Sequence, residues 1–317
     1  MAHIDIAAHE WQIISNPHTP RQKRIEIKQL FSDTFEAQHI PYQIHITSGQ
    51  NQGMLKAKDL CLNGKRHFIV IGGDGTINEV INGIYESGID TSTVYVSIIP
   101  LGTGNDYART LQLSHQPEKT LKTFLSGNYT LNDVGIAETT VHNEVVGKRY
   151  FVNIAGFAFD AAVIHKTVSS KPAILPSMVY LINLLKVLFK YRCSTVTIKT
   201  AQESVTTPVF TIAVGIAQYN GNGMRQVPMA NPHDRLFDIV VIKKISPWKV
   251  ISKVKQLFSG KHIETLQEAM VFKSDEVEIN AEEPVWGEVE GEMLKKGNYH
   301  IYNAPAQINI NCPAENI

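Results

Sequence analysis

Long apolar runs, paired cysteines and an excess of charge of either sign are all missing from this sequence. The longest apolar stretch, residues 178–189, is too short to cross a bilayer and contains Lys186. Three cysteines, Cys61, Cys193 and Cys312, lie far apart with no Cys-x-x-Cys pair. That spacing offers neither a disulfide framework nor a thiolate metal site and fits a reducing compartment. Thirty basic residues balance thirty acidic ones, so no global field draws nucleic acid, and any attraction to a membrane must be local. The opening residues MAHIDIAAHE are polar and carry acids, unlike a secretory signal peptide. These absences predict a cytoplasmic protein. The twelve histidines show no pairing at metal-ligand spacing. Walker A, dinucleotide Gly-x-Gly-x-x-Gly and protein-kinase signatures are also lacking.

What remains is a chain of 317 residues, 43% apolar and 19% charged, enough for two packed domains. Its first ~130 residues alternate strand and helix signals. Strands are predicted at 12–15, 42–46, 68–71 and 94–99, with helices near 20–31, 50–62 and 77–87 and another after 106. Such alternation implies parallel βαβ units, with ligands at the carboxyl ends of the strands. From about residue 132 short β-type runs dominate, at 150–154, 195–199, 209–215, 237–242, 277–279, 299–302 and 308–310. They read as an antiparallel sandwich or barrel, interrupted by helical stretches near 173–191 and 247–258. The expected division is therefore 1–133, an α/β nucleotide-binding domain, and 134–317, a β-sandwich domain.

Two glycine-rich loops fall at strand carboxyl ends. Gly72-Gly73-Asp74-Gly75-Thr76 lets the backbone turn sharply, and its following amides open a helix whose dipole favours phosphate. Asp74 adds a carboxylate suited to magnesium or to an attacking hydroxyl. Thr76-x-x-Glu79 also has the form of a capping box, which explains both residues without a ligand. In Gly102-Thr103-Gly104-Asn105-Asp106, Thr103 is a candidate donor to a nucleotide, and Asn105 or Asp106 a helix cap. Either loop alone is a weak signal; two on neighbouring parallel strands favour nucleotide binding.

Gly72–Glu79 together with Pro100-Leu-Gly-Thr-Gly-Asn-Asp106 resembles the diacylglycerol kinase catalytic family, which also holds sphingosine kinases and bacterial lipid kinases. Weaker echoes follow at Asn153-x-x-Gly156-x-x-x-Asp160, at Asn220-Gly221-Asn-Gly223 and at Glu290-Gly291-Glu292. The resemblance implies an α/β nucleotide domain, a C-terminal β-sandwich and an active site in the cleft between them. It implies ATP contacts from Asn16, Pro17, Thr47, Gly73, Asp74, Gly75, Thr76, Asn78, Glu79, Gly102, Thr103, Gly104 and Asn105. It makes Glu292 the general base toward a lipid hydroxyl, diacylglycerol first, and has Asp74 organise Mg2+. In some bacterial members an acidic loop holds a structural Mg2+; here it reads Asn231-Pro-His-Asp-Arg-Leu-Phe-Asp238, with Asp234 and the carbonyls of Asn231 and Leu236 as candidate ligands. Three features depart from the family pattern: Pro20 replaces the glycine of Asn-Pro-x-x-Gly, Glu290 replaces an aspartate, and His233 and Arg235 dilute the acidic loop.

The expected partners are a lipid at the membrane surface, through transient peripheral contact, and no nucleic acid; paired β-rich domains are compatible with a homodimer. Residues 178–189 read either as an amphipathic element touching the membrane or lipid pocket, or as a helix packed over the sandwich. An NAD kinase, which shares Gly-Gly-Asp-Gly, and a catalytically silent nucleotide- or lipid-binding regulator are the alternatives.

Overall fold

The computed structural model describes residues 2–15, 21–168 and 184–313. The chain divides into two units, Met1–Val134 with Ala304–Ile317, and Gly135–Asn303.

The first unit is built from β1 (Ala2–His3), β2 (Trp11–Ser15), α1 (Arg21–Ala37), β3 (Tyr42–Ile46), α2 (Gln52–Leu62), β4 (His67–Gly72), α3 (Asp74–Glu86), β5 (Tyr95–Pro100), α4 (Asp106–Thr110), α5 (Pro117–Leu125) and β6 (Asn128–Asn132). Strands β3, β2, β4 and β5 lie side by side and parallel. The chain steps from β2 to β3 on one side, then to β4 on the other. That reversal opens a crevice at the carboxyl ends of β2 and β4, where ligands sit in such sheets. Residues of β2, β4 and β5 are buried along almost their whole length, as strands covered on both faces must be. Trp11, Ile13, Phe31, Phe35, Ile69 and Phe124 form one of the clusters that cover them.

The second unit begins with β7 (Gly135–Val141), β8 (Glu144–Phe151), β9 (Ile154–Ala158), α6 (Phe159–Val168), β10 (Ser194–Thr200), β11 (Ser204–Gly215) and β12 (Phe237–Lys243). It continues with helix α7 (Pro247–Ser259), β13 (Ala269–Ser274), β14 (Glu276–Ala281), β15 (Gly287–Val289), β16 (Glu292–Met293) and β17 (Asn298–Asn303). Every pairing is antiparallel, and the sheet closes over a core that includes Phe151, Phe157, Phe237, Ile239, Val277 and Tyr299. The α/β plus antiparallel β-sandwich class expected from the sequence is what the structure has.

Two expectations are corrected. The last strand, β18 (Ile308–Asn311), leaves the sandwich, running parallel to β5 and antiparallel to β6. Residues 304–313 therefore belong with the first unit, not with 135–303. Its apolar run fits either sheet, and only pairing partners decide. The expected strand 150–154 is broken at Val152-Asn153, because the Glu290 carboxylate accepts both of those amides (2.8 and 2.7 Å) and turns the chain there. Of the helical stretch 173–191, residues up to 183 lie outside the described residues. Leu184, Val187 and Leu188 pack into a core cluster beside the sandwich, while Leu185 and Phe189 face outward. Among the described residues no helix is long and apolar enough to cross a membrane.

Candidate active site

The two glycine loops meet backbone to backbone. A Cβ built on Gly102 would lie 2.4 Å from the Gly73 Cα, and one on Gly73 would lie 2.8 Å from the Gly102 Cα. No side chain fits between them, so glycine is required at both positions by close approach. Leu101 N donates to Gly72 O (2.8 Å), continuing the ladder of β4 and β5 into the loops. The Asn105 side chain closes the second loop on itself. Its Oδ1 accepts from Gly102 N (2.8 Å), and its Nδ2 donates to Gly102 O (2.9 Å). Asn105 holds a left-handed conformation (φ 51°), which its short amide tolerates. It thus occupies the cap position of α4, yet caps the loop with its side chain rather than the helix.

Asp74 opens α3 and reaches across to the second loop, where its Oδ1 accepts from Tyr107 N (3.1 Å). The carboxylate is thereby fixed at the junction of the two loops. Asp74 and Gly75 are the first two residues of α3, so their amides have no intrahelical acceptor. Gly75 and Thr103 are exposed, whereas Thr76 and Asn78 are buried. Thr47, at the carboxyl end of β3, lies on the same edge of the sheet, with its amide and hydroxyl both donating to Ser15 O (3.1 and 3.3 Å). Asn16 and Pro17, which follow Ser15, lie outside the described residues.

The capping-box reading of Glu79 is corrected. Glu79 does cap a helix, but the neighbouring one: its carboxylate accepts from Asn51 N (2.8 Å) and Gly53 N (2.9 Å) at the start of α2. A carboxylate at a helix N-terminus satisfies open amides and complements the dipole. The sequence offered a partner three residues away, while the fold supplied one from a helix packed alongside.

In the second unit, Glu290 and Gly291 both have positive φ (52° and 88°) and form the two-residue turn joining β15 to β16. Both turn residues in the left-handed region give the hairpin turn that matches strand twist. Glu292 follows as the first residue of β16, half-buried and paired with Val289. Among the described residues no side chain bonds the Glu292 carboxylate. Glu290, by contrast, is committed to the Val152 and Asn153 amides.

Sequence reasoning missed Glu288. It is fully buried, and its carboxyl accepts from Gly291 N (2.7 Å). Burial, with Asp160 and Glu290 nearby, pushes its pKa up to about 8. Asp160, opening α6, is held up at about 6 by burial despite hydrogen bonds from Thr211 and Gln226. Glu288 sits two residues before the expected motif, and nothing in the local pattern marks an acid inside a sandwich. Asp133 was read only as a boundary, yet it is wholly buried, accepting from Gln307 Nε2 (2.8 Å).

In the acidic loop the candidate carboxylate is paired with a lysine. Lys273 on β13 places its ammonium 2.9 Å from Asp234 Oδ2 and 3.6 Å from Asp238 Oδ2. Asp234 Oδ1 accepts from Leu236 N (3.1 Å). Of the candidate ligands Asn231, Asp234 and Leu236, the one carboxylate, Asp234, thus already has a side-chain cation as partner. Among the described residues no cluster of three or more His, Cys, Asp or Glu has metal-site spacing. Asp74 suits Mg2+ better. One backbone amide orients it, and Mg2+ needs only one or two protein carboxylates beside substrate phosphates.

Comparison with known proteins now defines the class. Residues 10–137 match the diacylglycerol kinase catalytic domain, and residues 154–312 match the YegS C-terminal NAD kinase beta sandwich-like domain. The chain belongs to the family of lipid kinases of the diacylglycerol kinase and YegS type. A diacylglycerol kinase of Bacillus subtilis is 26% identical over 305 residues, 96% of each chain. One of Staphylococcus carnosus is 24% identical over 267 residues, 82% of this chain and 83% of the relative. Among solved structures, a diacylglycerol kinase from Bacillus anthracis superposes with a TM-score of 0.70 at 17% identity, covering 98% of both chains. Yeast NADH kinase in complex with NADH gives 0.56 at 12% identity, covering 97% of this chain and 84% of that one.

Proposed function

We propose that the protein transfers the γ-phosphate of ATP to a lipid hydroxyl, with diacylglycerol as acceptor and phosphatidic acid as product. The observation that carries this reading is the backbone contact between Gly73 and Gly102, with Asp74 fixed at the seam. It sets the open amides of Asp74 and Gly75 and the exposed Thr103 hydroxyl on one edge of the sheet, where a phosphate chain finds donors and a favourable helix dipole.

Phosphoryl transfer asks little covalent chemistry of a protein; positioning and charge stabilisation supply most of the rate. The tight loops position the phosphates. Mg2+ bound with the nucleotide would neutralise charge on the phosphoryl oxygens, with Asp74 as its protein ligand. In the second unit, Glu292 is the proposed acceptor of the lipid hydroxyl proton. It is the one carboxylate of its hairpin not used to hold backbone, and general-base help is worth about 10²–10⁴-fold.

Diacylglycerol as acceptor is supported by the names of bacterial relatives that span most of the chain. The likeness in fold to yeast NADH kinase motivates a second reading, NAD as acceptor. Incubating purified protein with labelled ATP, Mg2+ and either diacylglycerol, mixed cell lipids or NAD, then identifying the product by mass, tests both. Phosphatidic acid is the expected product. Label only in NADP supports the second reading, and nucleotide binding without transfer would leave a regulator.

A further inference from the structure

Helix α7 carries an apolar stripe that the fold leaves uncovered. Trp248, Ile251, Val254 and Phe258 recur at helical spacing and are 71%, 38%, 43% and 52% exposed. Val250, one turn before Val254 and at the edge of the stripe, packs against a core cluster, so α7 is anchored along that edge while the stripe stays exposed. The stripe is continued by Leu185 and Phe189, themselves 37% and 48% exposed. The Phe189 and Trp248 rings meet edge to face at 5.1 Å, joining the two segments into one patch.

The two segments that carry this patch hold charge of one sign. Residues 239–263 hold six lysines, at 243, 244, 249, 253, 255 and 261, and no Asp or Glu. Residues 184–192 add Lys186, Lys190 and Arg192, again without an acid. In a chain of zero formal net charge this is a strong local bias. Lys249 is paired with Glu268, whereas Lys244, Lys255 and Lys261 are exposed. An aromatic and aliphatic stripe flanked by lysines is the pattern of helices that lie in the headgroup layer of an anionic membrane. Trp248 suits that interface because its ring is both apolar and polar-tipped. Long lysine stems let the ammonium groups reach headgroups while their methylenes stay with the stripe. A second copy of the same patch is a poor occupant, since it would bring lysines against lysines.

We infer that α7, with Leu185 and Phe189, is a docking surface for an anionic lipid bilayer. The test uses neither nucleotide nor acceptor, so its outcome stands apart from the kinase reading. Full-length protein is sedimented with vesicles of phosphatidylcholine alone and with vesicles in which about a third of the lipid is phosphatidylglycerol. Binding is expected to the second and to be weak on the first. Trp248→Glu should weaken it by about tenfold or more. Lys253→Gln combined with Lys255→Gln should weaken it by about 25-fold at low salt, roughly fivefold per lysine, with the difference shrinking at high salt. All these side chains leave the core untouched, so melting temperatures should match the parent. Absence of binding to either vesicle overturns the inference, as does binding that Trp248→Glu leaves unchanged. A dimer in sedimentation velocity that Trp248→Glu dissolves, without vesicle binding, also overturns it and makes the patch an interface between copies.

Discussion

Substituting alanine at two glycines of the candidate site should separate folding from ligand approach. At Gly102 the new methyl would stand 2.4 Å from the Gly73 Cα, 2.9 Å from Asn105 Oδ1 and 3.2 Å from Gly73 N. Carbon atoms in contact prefer about 3.5–4.0 Å, so the loops must part by more than ~1 Å. The nearest obstacle is backbone and cannot rotate away. Overpacking of this kind costs about 1–3 kcal/mol. The separation also pulls Asp74 from Tyr107 N, so ATP affinity should fall with stability. At Gly75, by contrast, a methyl meets nothing within 4 Å. Gly75 lies in the first turn of α3, where alanine is favoured over glycine by about 0.5–1 kcal/mol in a helix interior and less at its start. Gly75→Ala should therefore keep or raise the melting temperature, yet weaken ATP if phosphate approaches the exposed backbone at that point. Melting by scanning fluorimetry and ATP titration by calorimetry read both quantities. Gly102→Ala with parental melting and parental ATP affinity would refute the claim that the loops' contact builds the site. Gly75→Ala with unchanged affinity would remove that residue from the phosphate path.

Asp74→Asn, which keeps an oxygen for Tyr107 N but removes the charge, should leave folding intact and lower turnover by at least about 100-fold in a labelled-ATP assay. Glu292→Gln should lower turnover by about 10²–10⁴-fold with little change in melting, and a loss below twofold would assign the proton to another group. Chelator should leave the melting temperature unchanged if Lys273 serves the acidic loop. Lys273→Met should cost about 1–2 kcal/mol, less than a fully buried pair, because Lys273 is 44% exposed while Asp238 is 4% exposed. Burial raises the Glu288 pKa to about 8, so the folded state keeps a proton that the unfolded chain releases above about 4.5. Stability must then fall as pH rises between those values, by about 2 kcal/mol from pH 6 to 8, and Glu288→Gln should flatten that slope in pH-dependent denaturation.

Local chemistry made the first unit readable. Strands β2 to β5 are apolar runs between helices, each signal complete within a dozen residues, and the glycine loops follow two of them directly. The helix start at Asp74 was harder, because Thr76 and Glu79 imitate a capping box; only packing of α2 beside α3 shows which amides Glu79 serves. In the second unit the signals are long-range. The break at Val152-Asn153 comes from a carboxylate 138 and 137 residues away. The return of β18 to the first sheet depends on β5 and β6, and an apolar strand carries no address. Lys273 reads as an ordinary surface lysine until β13 pairs with β12 and brings it to Asp234 and Asp238.

The hairpin 288–292 shows why alternation alone misleads at a site. Glu288, Glu290 and Glu292 are spaced by two, and in a continuous strand all three would share one face. The left-handed pair Glu290-Gly291 breaks that continuity and sends the three carboxyls to different tasks. Glu288 turns inward and holds the Gly291 amide; Glu290 folds back onto Val152 and Asn153. These three bonds stiffen the turn from its two sides, and the residue that emerges with its carboxylate uncommitted is Glu292. A glycine in the left-handed region at 291 is what permits this arrangement. Substitution there should therefore act on Glu292 through its placement, lowering turnover while leaving the nucleotide loops of the other unit and their affinity for ATP unchanged.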